Sequence, residues 1–255
     1  MSNKKSVFLV AAIFIISLIY LLIYEYSARL VVLTREDGLV ENIGAILFLA
    51  ASVLFFLTFY GIARSKYFLP HKGLGVWLFL LLGLMFFIAF GEEISWGQRI
   101  FGIETPEYMR TANVQEELNI HNLELFYEDC RSGKIEKDCQ SSALVTPIRL
   151  LALFGLVYML LLPWVVPRVE FLARLFAAWS IPIPASIVPG ILFVYNLLFC
   201  KAIQSVLIVE RGDLYTGMAE LMEAFLALLI LIMAIELYKD PYPKKGVSDP
   251  IGEEP

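Results

Sequence analysis

The chain has 255 residues, of which 59% are hydrophobic and 18% charged, with a formal net charge of −5; its mean hydropathy is +0.72. Soluble domains rarely exceed about half apolar residues, so a soluble fold is excluded. No basic stripe is present to track a nucleic-acid backbone, so no nucleic-acid partner is expected.

A spanning helix needs about 20 consecutive apolar residues. Segments that meet this requirement fall at Val7–Tyr24, Asn42–Ile62, Leu74–Phe90, Pro147–Val166, Ile187–Val209 and Gly217–Leu237. The expected class is all-α: a polytopic transmembrane helix bundle of about six spans, forming a single integral membrane domain over 1–255 with the lipid bilayer as its surroundings. No repeat with a period of 20–50 residues and no low-complexity tract divides it. The first segment follows Lys4 and Lys5 but is too long for the apolar core of a signal peptide, so it reads as a retained span.

Basic residues favour the cytoplasmic side of short loops. With the N-terminus inside, the inner segments carry ten Lys and Arg residues and the two short outer loops carry three. Both termini are therefore expected to be cytoplasmic, in a bacterial inner membrane. This orientation puts four acidic stretches on the outer face: "TREDGLVEN" (34–42), "GEEISWGQR" (91–99), "NVQEELNIHN" (113–122) and "VERGD" (209–213), the last followed by Glu220 and Glu223.

In chain order, Gly38 reads as a turn, with Glu36 and Asp37 beside it and Glu41 in the first turns of the second span. Read as continuing helix, "GEEISWGQR" places Glu92, Ser95 or Trp96, and Arg99 on one face with Glu93 beside it. Two adjacent carboxylates near hydrocarbon are not both cheaply ionised, so a proton, Arg99 or a metal is expected to offset them. The alternative is an interfacial charge cluster that anchors the helix end.

The long outer loop, 91–146, is expected to hold short interfacial helices. Thr105 and Pro106 read as N-cap and N1, Asn113 and Glu116 as a capping box, and Thr146 and Pro147 as the start of the fourth span. His121 lies in an amide-rich run with Asn113, Asn119 and Asn122; it can be a base, an oxyanion donor, a metal ligand or a solvated side chain. Glu93, Glu116 and His121 are a candidate set for a divalent metal. Cys130 and Cys139 are either a disulfide closing a short outer loop or two free thiols. "VEFLARLFAAWS" (169–180) reads as an interfacial or short re-entrant amphipathic helix on the inner side.

Lys201 falls about 12 Å inside the fifth span, at 1.5 Å per residue. It is expected to face the bundle and pair with Glu223 first or Glu41 second, as structural glue, a proton relay or a support for the glutamates. No Walker loop, HExxH, GxSxG or CxxC occurs, which argues against nucleotide hydrolysis and the common hydrolase motifs. Two histidines are too few for bis-histidine haem ligation across spans.

"REDGLVEN", "GEEISWGQR" and "NVQEELNIHN" resemble a family of uncharacterised bacterial polytopic membrane proteins. The resemblance covers spans one to three, the third loop and the glutamates opening span six; it implies a shared fold and no particular activity. A looser resemblance is to the CAAX-type intramembrane glutamic proteases, with Glu92 and Glu93 preceding Arg99 and His121 followed by Asn122. It implies glutamate activation of water, with histidine and asparagine stabilising an oxyanion. Here the glutamate–arginine spacing is longer, a second histidine has no counterpart, and the motif lies towards the outer face.

Three functions are therefore carried forward. The first is an integral-membrane hydrolase or transferase acting on a lipid or lipid-linked substrate, with Glu92, Glu93, His121 and Arg99 as its catalytic set. The second is an ion-coupled transporter using Lys201. The third is a non-catalytic assembly module with protein partners unspecified.

Overall fold

The computed structural model describes residues 3–24, 33–34, 38–64, 73–113, 115–126, 145–207 and 212–241. Among these the fold is all-helical, with an isolated bridge between Asn113 and Leu123. The principal helices are α1 (Asn3–Tyr24), α2 (Leu39–Ala63), α3 (Gly73–Glu93), α4 (Pro147–Arg168), α5 (Glu170–Ala178), α6 (Val188–Leu207) and α7 (Gly212–Lys239). Four stretches are long and apolar enough to cross a membrane: Leu39–Ala63, Leu74–Glu93, Pro147–Arg168 and Gly217–Lys239.

In lipid, apolar side chains gain little by leaving one hydrocarbon for another, so helices associate through close packing and small residues. The α2–α3 pair follows this rule. Phe48 meets Phe86, Phe55 meets Phe79, and Phe59 meets Trp77, so the two helices run antiparallel in a fixed register. That register brings Glu41, at the start of α2, level with Glu93, at the end of α3. Ser52 donates to the Gly83 carbonyl (2.8 Å).

α7 is the central helix. Half of its most apolar window is buried, against 28–39% in the other three. Met218, Met222, Leu226, Leu229, Ile230 and Met233 are all sealed. Gly44 of α2 lets the backbones approach at Ala224, so the first turns of α2 and α7 lie at the same end of the bundle as the last turn of α3. α6 is tied to α7 by Asn196, whose Nδ2 donates to the Met222 carbonyl (3.0 Å).

α4 is interrupted by a π-helical stretch, Gly155–Leu161. Pro163 has no N–H to offer the Met159 carbonyl four residues back, and Gly190 of α6 packs against that same carbonyl. The expected start of this helix is observed: Thr146 caps the Arg149 N–H, and Pro147 follows it. The amphipathic segment expected at 169–180 is also helical over Glu170–Ala178, with no buried residue.

α1 meets α6 through Phe14 and Phe199. Tyr20 on α1 bonds Thr34 over Gly217 of α7.

A candidate site at the acidic end of the bundle

Three helix ends and one loop build the site. α3 stops at Glu93, and the helix expected to continue through "GEEISWGQR" does not. Ser95, Trp96 and Gly97 all take positive φ (46°, 54° and 75°), and a separate short helix, Gln98–Phe101, follows. This reversal folds the Trp96 ring back onto Gly91, where a Cβ would stand 2.8 Å from it. The single face predicted for Glu92, Ser95 or Trp96, and Arg99 is therefore replaced by a turn, in which Trp96 alone stays beside Glu92.

Glu92 is the anchor of the turn. One carboxylate oxygen accepts from Trp96 Nε1 (2.8 Å). The other accepts from the backbone N–H groups of Ile120 and His121 and lies 3.4 Å from His121 Nδ1. Bonds that strongly committed fix the loop and the imidazole together.

Glu93 faces a different set of groups. It lies within electrostatic reach of Glu223 and Glu220 from α7, Glu41 from α2, and Glu92. Glu223 in turn feels His121 and Lys201. The structure thus gathers Glu41, Glu92, Glu93, His121, Glu220 and Glu223 at one end of the bundle, where the sequence reading converged them, with Lys201 in electrostatic reach of Glu223 as expected.

The amide-rich run has a structural explanation. Asn113, Asn119 and Asn122 are buried. Asn113 Nδ2 donates to the backbone and side-chain oxygens of Asn119 (2.7 and 2.8 Å), and its Oδ1 accepts from the Gln115 and Glu117 N–H groups. Asn122 donates to Gln115. The expected capping box is not formed: Asn113 caps a turn instead, because Glu116 sits at φ 58° and no helix follows. Glu116 itself is exposed.

Glu117 is the residue that the sequence reading passed over. It accepts from Ser95 Oγ and Asn119 Nδ2 and pairs with Arg99. Arg99, expected beside Glu92 and Glu93, is thus carried to Glu117 by the turn. Gln98 bridges Thr105 and the Leu118 N–H. Thr105 donates to the Glu116 carbonyl and so does not cap the helix Glu107–Ala112, whose cap position is Pro106. Little in the local spacing of Glu117 marked it, since two of its three partners, Arg99 and Ser95, lie 18 and 22 residues earlier in the chain.

Lys201 is exposed, contrary to its expected position inside the bundle. Cys200 occupies the inward position, fully buried, and the next residue is turned about 100° away. Among the described residues no group of three or more His, Cys, Asp or Glu side chains is arranged to hold a metal ion. Glu36, Asp37, Cys130, Cys139 and "VER" (209–211) lie outside the described residues.

No protein-family model, curated protein or solved structure matches the chain at a significant level. The chemistry of the site is the guide to function.

Proposed function

We propose that the protein is an integral-membrane hydrolase or transferase that acts at the outer membrane face on a lipid or lipid-linked substrate. The observation that carries this reading is the pairing of Glu92 with His121 beside the Glu93 cluster. A carboxylate beside Nδ1 orients an imidazole and favours the tautomer whose Nε2 is open to accept a proton. Nε2 of His121 is the general base on a water or an acceptor hydroxyl, Glu93 handles the second proton at the leaving group, and Glu92 positions the base. Arg99 and Glu117 hold the loop that carries His121. The topology that accompanies this reading has six spans and cytoplasmic termini, adding α1 and α6 to the four long apolar helices.

Carboxylates with one imidazole suit a hard or borderline divalent cation. Elemental analysis of the purified protein beside Glu93→Ala and His121→Ala variants decides this point. Metal lost in both variants adds a cation to the site; none in any sample leaves direct catalysis.

The electrostatic link between Lys201 and Glu223 favours a second reading, an ion-coupled carrier. Lys201→Met abolishes transport under that reading and spares turnover under the first.

The test is mass spectrometry of lipid extracts from cells expressing wild-type protein or the Glu93→Gln variant at equal levels. A lipid or lipid-linked species consumed only by the wild type supports the enzyme; identical extracts contradict it.

A further inference from the structure

The segment that closes the site carries an apolar surface that nothing in the protein covers among the described residues. Beyond the turn at Ser95–Gly97, Ile100 and Phe101 are 72% and 75% exposed, and Trp96, Ile103 and Tyr108 are exposed beside them. A water-facing turn has no reason to present this set. Its placement is specific. The Trp96 ring packs edge-on against Phe87 (6.5 Å between centroids), and Phe87 lies about 9 Å down α3 from Glu93 at 1.5 Å per residue. The patch therefore continues the outward apolar face of α3, on which Leu81, Leu84, Phe87 and Ile88 are also exposed.

We propose that Trp96, Ile100 and Phe101 form a wedge that sits in the headgroup–acyl boundary of the outer leaflet and opens the site to lipid rather than to bulk water. Trp is favoured at that depth because its ring is apolar and its N–H is polar; here that N–H is taken by Glu92. Arg99, between the wedge residues, keeps its guanidinium at the polar level on Glu117, as snorkelling cations do. Lipid seated against the wedge bears on the Trp96–Glu92 bond and so on the loop that holds His121. The occupant is the bilayer, because the patch is continuous with a surface that is itself lipid-facing. That the wedge opens the site to lipid rests on the proposed lipid chemistry; the depth of the wedge does not.

The experiment places a nitroxide at Phe101→Cys in the full chain with Cys130, Cys139 and Cys200 replaced by alanine. The protein is reconstituted in phosphatidylcholine–phosphatidylglycerol vesicles. Collision with oxygen, which concentrates in lipid, is compared with collision with a water-soluble nickel chelate. Leu81→Cys is the lipid reference and Glu107→Cys the water reference. Ile100→Cys is the second position should the Phe101 variant misfold, since the Phe101 ring packs on Gly97. An oxygen-to-nickel ratio at least threefold above that of Glu107→Cys supports the wedge. A ratio equal to that of Glu107→Cys overturns it. Shielding from both reagents also overturns it, because that would mean a protein surface covers the patch. Lipid turnover is read separately, so a water-exposed wedge with intact turnover sinks this inference alone. An inserted wedge with unchanged lipid extracts sinks the enzyme alone.

Discussion

Glu92 holds His121 by its backbone N–H (2.9 Å) and stands 3.4 Å from the Nδ1 of its ring. One carboxylate at the end of a membrane helix thus sets both the position of a loop and the orientation of its histidine. Glu92→Ala removes acceptors from the Ile120, His121 and Trp96 N–H groups. Hydrogen bonds to charged groups are worth about 1.5–3 kcal/mol each, but this carboxylate is only half-buried, so water replaces most of what the exposed N–H groups lose. A fall in stability of about 2 kcal/mol is expected in thermal unfolding followed by tryptophan fluorescence. Faster protease cleavage within 115–126 accompanies it.

Asn113 and Asn119 form one buried unit and should fail together. Each alanine substitution strands a buried polar partner and costs about 1–3 kcal/mol. Because both remove the bond from Asn113 Nδ2 to Asn119 Oδ1, the double variant costs less than the sum of the two by about 0.5 kcal/mol or more. A double-mutant cycle on unfolding midpoints checks this; strict additivity would contradict the network.

Gly190→Ala would set a methyl group 2.1 Å from the Met159 carbonyl oxygen, with Leu160 Cα close behind. Backbone cannot retreat as a flexible side chain does, so a loss of about 1–3 kcal/mol is expected. Gly61→Ala, with nothing within 4 Å of its added carbon, is the control. Its stability holds or rises by about 1 kcal/mol.

Asn196→Leu removes the α6–α7 tie at Met222 while keeping volume. Polar bonds between membrane helices are worth about 0.6 kcal/mol on average and up to about 2 kcal/mol. A loss in that range is expected in detergent unfolding, with no change in the lipid product pattern if Asn196 is only a packing residue.

The helical class was legible in the sequence because apolar runs of spanning length have few other solutions in water or lipid. Four of the six expected spans meet the length and hydropathy that crossing requires. Thr146 and Pro147 signalled their helix start because a cap acts within one turn. The convergence of Glu41, Glu93, Glu220 and Glu223 was also legible, since antiparallel spans return the chain to the same face. The turn at Ser95–Gly97 was not. Ser and Trp at positive φ run against their local preference, and the bonds from Trp96 to Glu92 and from Ser95 to the distant Glu117 help hold them there. Arg99 and Lys201 were misplaced for related reasons, the first because the helix ended early and the second because Cys200 took the inward position.

The central claim is that the Glu92-oriented His121 and the adjacent Glu93 do chemistry on lipid. The most direct measurement is product formation by purified protein in vesicles of total lipid extract, with wild type, His121→Ala and Glu93→Gln compared by mass spectrometry. Thermal unfolding confirms that each is folded. The account predicts a lipid-derived product from the wild type, reduced at least 100-fold in both variants, in line with the typical contribution of a general acid or base. A product formed equally by folded variants, or by none of the three, would contradict it.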